Sequence, residues 1–110
     1  MAKKKKIYVS GKITGLPMEH VKKKFGITCV YLREIGFEPI NSLEISPFAE
    51  NKIWEDYMID DIKELFKCDA IYMLDNWGTS KGARVEYAIA RELGLEIYFY
   101  GDIPQKEIVS

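Results

Sequence analysis

Two carboxylates stand where helices usually carry apolar side chains. Between Ser80 and Leu93, residues Ala83, Glu86, Ile89, Ala90 and Leu93 recur at spacings of three and four and share one helix face, on which Glu86 is the only charge. One helix earlier the pattern repeats: Trp54, Met58, Asp61, Ile62 and Leu65 share a face with Asp61 out of place, while Asp56, Asp60, Lys63, Glu64 and Lys67 fall on the other. A lone acid on such a stripe has two readings. It sits at the margin and reaches solvent or an arginine, or it turns inward above the carboxyl ends of parallel strands, where open α/β sheets bind ligands. Two such acids on successive helices facing one sheet favour the second. Buried near each other, carboxyls shift one another's proton affinity, which is what acid–base and nucleophilic chemistry requires.

Other residues near these acids suit a ligand. The segment Gly11-Lys12-Ile13-Thr14-Gly15, between a strand and a helix, can bring backbone N–H groups close to an anion. The signal is weak by itself, since glycine turns after strands are common, and it matches neither a P-loop nor a dinucleotide fingerprint. Ser80 and Gly82 open the Glu86 helix at a position suited to a phosphate or a sugar hydroxyl. Phe48 and Trp54 offer flat apolar surfaces for a base, although a core role serves Trp54 at least as well. His20 has no Cys or His partner nearby, and Cys29 and Cys68 lack metal-ligand spacing. The cysteines read as buried free thiols of an intracellular, cytoplasmic protein, and neither a metal nor an organic cofactor is expected.

The elements that must position these groups can be read in order. Ile7–Val9 runs into Gly11 as a first strand. Pro17 opens a helix in which Val21, Phe25, Thr28, Cys29, Leu32 and Ile35 recur before Gly36, with Lys22, Lys23, Lys24 and Arg33 mainly on a solvated outer face. Phe37–Ile40 is a second strand, and Asn41–Lys52 a long irregular loop at the same sheet edge as the first loop. A helix follows from about Trp54 to Phe66, then a buried strand Ala70–Leu74, the Glu86 helix through Leu93 ended by Gly94, and a last strand Glu96–Tyr100. Alternation of strand and helix predicts right-handed crossovers and an α/β fold: a small three-layer sandwich, flavodoxin- or Rossmann-like, around a mostly parallel sheet of four or five strands.

Size and charge narrow the function classes. A chain of 110 residues suits one domain, 1–110, with a basic tail over 1–6 and a polar C-terminal tail over 101–110. A formal net charge of −1 gives no general attraction to a nucleic acid polymer or an anionic membrane. The Lys3–Lys6 run reads as a solvated terminus, since no apolar segment follows to make it a signal peptide, and no stretch approaches a membrane span.

With these residues in hand, the chain resembles the nucleoside 2-deoxyribosyltransferase superfamily, which includes 2'-deoxynucleoside 5'-monophosphate N-glycosidases. Three segments carry the likeness in the right order: Ile7 through Gly15, Asp61 through Asp69, and Ser80-Lys81-Gly82-Ala83-Arg84-Val85-Glu86 with Ala90 and Gly94 beyond. It looks most like a small bacterial and phage branch assigned to that superfamily by similarity. The resemblance implies that Glu86 is a nucleophile attacking C1' of a 2-deoxyribose, that Asp61 supplies or takes the proton at the departing base, and that Tyr8 holds and tunes Glu86. It implies substrate contacts at Gly11, Lys12, Thr14, Gly15, Ser80, Gly82 and Arg84. Two positions depart from the pattern. Thr14 replaces a phosphate-facing arginine, for which Lys12 is a point-charge substitute. Arg84 replaces a common second glycine, narrowing the site or adding an anion contact.

Two functions remain open at this point. One is an enzyme that cleaves or exchanges the N-glycosidic bond of a 2'-deoxynucleoside or its 5'-monophosphate; the other is a nucleotide-binding module with the same fold and no turnover. The enzyme is favoured because Glu86, Asp61 and Tyr8 are all present. The partner expected is a small-molecule nucleoside or nucleotide. The resemblance also implies a homo-oligomer, a dimer or larger, and the aromatic residues Tyr31, Trp77, Tyr98 and Tyr100 are more than one small core needs.

Overall fold

The computed structural model describes residues 3–47 and 49–102. Its elements run β1 (Lys6–Ser10), α1 (Met18–Glu34), β2 (Glu38–Asn41), α2 (Ser42–Ile45), α3 (Trp54–Leu65), β3 (Ala70–Met73), α4 (Lys81–Leu93) and β4 (Glu96–Phe99), with a short 3-10 turn at Trp77–Thr79. The four strands form one sheet in the order β2-β1-β3-β4, and every neighbouring pair is parallel. This is the expected α/β sandwich, with four strands. The chain adds β2 on one side of β1 and then crosses to build β3 and β4 on the other. The point of reversal lies between the carboxyl ends of β1 and β3, the place where such sheets open a crevice.

The layers follow from the two-residue alternation of a strand. Ile7 and Val9 of β1, with Ala70 and Tyr72 of β3, turn to one face, where Val21, Phe25, Cys29 and Leu32 of α1 cover them. Tyr8, Ile71 and Met73 point the other way, against Leu65 of α3 and Ala83 and Ala90 of α4. Each fully buried Phe or Leu in these layers contributes about 1.5–3 kcal/mol, so the two helix layers hold the sheet between them. Gly94, at φ 76°, ends α4 in the left-handed region and turns the chain into β4.

Several local features differ from the sequence reading. The stretch read as a loop from Asn41 contains the single helical turn α2, capped by Asn41, whose Oδ1 accepts the Leu43 N–H at 3.0 Å. One turn is too short for apolar periodicity to register, and only the Asn cap marks it. The basic run does not stay outside the fold: Lys6 opens β1, its N–H donates to Asp69 Oδ2 at 2.9 Å, and Lys5 Nζ pairs with Glu96 at 2.6 Å. Most of the aromatic surplus is also absorbed. Trp77 packs on Tyr87 with ring centroids 4.7 Å apart, and Tyr98 sits edge-on to Phe37 at 5.8 Å, which leaves Tyr100 56% exposed. Both cysteines are free and buried. Among the described residues no helix is long and apolar enough to cross a membrane. Phe48 and positions 103–110 of the expected tail lie outside the described residues.

Candidate active site

The same alternation that buries Tyr8 beneath α3 and α4 buries Ser10 there as well, and Glu86 descends from α4 to meet both. Tyr8 Oη donates to Glu86 Oε2 at 2.9 Å, and Ser10 Oγ donates to Oε1 at 2.6 Å. Glu86 is only 5% exposed. Burial raises its pKa to about 7, while the donors Ser10 and Tyr8, and Asp61 beside it, pull the other way. Tyr8 is pushed well above its ordinary pKa, by burial first and then by the charges of Glu86 and Asp61, so it remains a phenol and a donor.

Asp61 enters from α3 and is 8% exposed. Its pKa rises to about 8, by burial first, then by the negative charge of Glu86 and of Asp60. Among the described residues its Oδ1 has no hydrogen-bond partner within the protein. The two acids therefore differ in kind. Glu86 receives two hydroxyl donors that stabilise its anion, whereas Asp61 lacks comparable donors and keeps its proton to higher pH. Near neutrality the pair shares protons, with the ionised form favoured at Glu86 and the acid at Asp61.

Both carboxyls line a cavity of about 800 Å³ at the carboxyl edge of the sheet, within the range of small-molecule sites. Trp54, Tyr57 and Met58 of α3 form an apolar wall, Ser42, Ser46 and Thr79 add hydroxyls, and Lys12, Lys22 and Lys81 bring positive charge. Lys81 Nζ lies 4.3 Å from the centroid of the Trp54 ring, a cation–π contact at the start of α4. Trp54 is thus part of the cavity wall and not of the core, and Lys22, read from its outer-face position as solvated, reaches the cavity.

Of the residues implied by resemblance, Glu86, Asp61, Gly11, Lys12, Thr14, Ser80 and Gly82 line this cavity, and Tyr8 supports it through Glu86. Three have local duties. A Cβ at Gly11 would stand 2.6 Å from Leu74 Cδ1, so the glycine is required by the packing of β1 against the end of β3. A Cβ at Gly82 would lie 3.2 Å from Met58 Sδ, so this glycine lets α4 approach α3 closely. Ser80 caps α4, accepting the Ala83 N–H at 3.1 Å. The loop after β1 is less free to cradle an anion than its composition implies, because the Lys12 N–H donates to Asn76 Oδ1 at 3.0 Å.

Gly15 and Arg84 are not in the cavity wall. Arg84 is two residues from Glu86, about 200° around the helix, and its guanidinium donates to the Gly78 carbonyl at 3.1 Å, bracing the 3-10 turn. Gly15 lies exposed beyond the wall-forming part of its loop. Sequence reasoning missed Ser10, Tyr57 and Lys81. Ser10 had a signal: on a strand it shares the face of Tyr8, two residues away.

No curated protein sequence matches the chain. Among solved structures, the 2-deoxyribosyltransferase of the psychrotolerant bacterium Bacillus psychrosaccharolyticus is similar, with a TM-score of 0.63 and 20% identity over 96% of this chain and 77% of that one. At that identity the likeness is one of fold. Residues 5–99 match the family described as a domain of unknown function, DUF4406, and the chain belongs to that family.

Proposed function

We infer that the chain cleaves or exchanges the N-glycosidic bond of a 2'-deoxynucleoside or its 5'-monophosphate, with Glu86 as the nucleophile. The observation that carries this reading is a buried carboxylate held by Tyr8 and Ser10 in the same cavity wall as a second, more basic carboxyl, Asp61. The shared fold with a 2-deoxyribosyltransferase supports it.

In the first step a Glu86 oxygen bonds to C1' as the C1'–N bond breaks. The bonding pair leaves with the base, which takes the Asp61 proton. In the second step water attacks C1', gives its proton to Asp61, and the C1'–O bond to Glu86 breaks, restoring both carboxyls. If a second base attacks instead of water, the same cycle is a transfer. The absence of a 2'-hydroxyl eases the oxocarbenium-like transition state. Trp54, Tyr57 and Met58 give the base an apolar wall, and Lys12, Lys22 and Lys81 favour a 5'-phosphate over a neutral 5'-hydroxyl.

The test is chromatography of deoxynucleosides and their monophosphates after incubation, with and without an acceptor base, for the wild type and Glu86→Gln. Base released without an acceptor identifies a hydrolase; exchange only with an acceptor identifies a transferase. Glu86→Gln is expected to lose turnover while keeping its fold and substrate binding, and an active Glu86→Gln would remove the nucleophile from the scheme. Tight binding without turnover by either protein would replace the enzyme with a nucleotide-binding module.

A further inference from the structure

Away from the cavity, α1 carries an apolar stripe that its own core does not cover. Ile27 and Val30 are 59% and 51% exposed, and they line a shallow groove together with Lys23, Gly26, Tyr31 and Glu34. These six positions recur at helical spacing and form one continuous face, about 16 Å long at 1.5 Å per residue. Lys22, Lys23 and Lys24 give the beginning of this face the look of a solvated surface, yet its centre is apolar.

The order of residues along this stripe is complementary to itself when reversed. Around a two-fold axis passing between Ile27 and Val30, an antiparallel second helix brings Lys23 opposite Glu34, Gly26 opposite Tyr31, and Ile27 opposite Val30, each pair occurring twice. Opposite charges meet at both ends, a small residue meets a large one, and two exposed β-branched residues meet at the centre. Gly26 has no neighbouring heavy atom within 4 Å of where a Cβ would stand, so its notch is open to an incoming ring. Among the described residues, neither Lys23 nor Glu34 is engaged in an ion pair within the chain.

We propose that a second copy of this chain docks on this face, α1 against α1, antiparallel across a two-fold axis. Such an interface is isologous and closes at two subunits. A contact confined to three helical turns is at the small end of stable interfaces, so the dissociation constant belongs to the micromolar class. Lys22 borders both this groove and the catalytic cavity, so the dimer holds one cavity lysine beside the subunit contact.

Sedimentation equilibrium on the full chain, from about 5 to about 500 µM, tests the arrangement. The wild type is expected to show a monomer–dimer equilibrium within that range. Lys23→Glu and Glu34→Lys should each weaken it about tenfold or more, because each places like charges opposite one another twice. An equimolar mixture of the two variants should restore the dimer, and so should the double variant. Gly26→Leu should be monomeric with an unchanged far-UV circular dichroism spectrum, since the side chain fills only the open notch. A wild type that stays monomeric throughout overturns the proposal. A dimer indifferent to both charge reversals assigns association to another face, and a mixture that fails to re-form dimers rejects the antiparallel pairing.

Discussion

Replacing Asp61 by Asn should stabilise the protein more at pH 8 than at pH 5, because the fold holds this carboxyl against its preference. Unfolded, an aspartate releases its proton near 3.8; in the fold Asp61 holds it to about 8. Between those values the native state binds more protons than the unfolded one, so raising the pH stabilises the unfolded state and native stability falls. An asparagine carries no such dependence. The stability difference between variant and wild type should therefore grow from about pH 4, slow as the pH passes 8, and level off above it. At about 1.4 kcal/mol per pH unit, the three units from pH 5 to pH 8 set an upper limit of about 4 kcal/mol. Joint titration with Glu86 and residual solvent at the cavity reduce this to on the order of 2 kcal/mol. For a domain of this size that corresponds to about 8–12 °C in melting temperature. Calorimetric melts of both proteins at several pH values give the result directly. Comparing differences between pH values cancels any constant effect of the amide on packing. Parallel melting curves from pH 5 to pH 8 would refute the claim that burial and Glu86 hold the proton on Asp61.

Turnover, on the reading proposed above, needs Glu86 ionised and Asp61 protonated, so kcat/KM, which reports the free enzyme, should follow a bell whose limbs near 7 and 8 belong to the coupled pair. Tyr8→Phe removes a donor to the anion and should move the acid limb to higher pH; a limb that stays in place would dissociate Tyr8 from Glu86 ionisation. Gly11→Ala should lower stability by about 1–3 kcal/mol in chemical denaturation, because its Cβ has no room beside Leu74. Arg84→Ala should leave KM within about twofold, since the arginine braces Gly78 outside the cavity wall; a KM raised about tenfold or more would place the guanidinium on the substrate.

What the sequence revealed and what it concealed have physical causes. Apolar periodicity located α1, α3 and α4 and gave the centre of each buried face, because twelve or more residues provide several turns over which a stripe can repeat, but Trp54 and Leu93, at the ends of the α3 and α4 stripes, are exposed. The same stripes exposed Glu86 and Asp61 as misplaced acids, and both are buried in the fold. Motif position alone assigns Arg84 to the substrate, and helix angle takes it away from the cavity. Ser10 escaped because a serine at a strand end is common, and its importance depends on a partner 76 residues away. The apolar stripe of α1 was hidden by the lysines at its beginning.

The notch of space at Gly82 has a consequence for how catalytic power would be tuned. Glu86 and Asp61, the nucleophile and acid of the proposed reaction, ride on separate helices, and no backbone link fixes their separation; the thickness of side chains between α3 and α4 does. With only hydrogen at position 82 facing Met58 Sδ, the spacing is set by the absence of a methyl group one turn from Glu86. Bulk added there acts as a shim: it changes proton sharing between the carboxyls while leaving every reacting atom chemically intact.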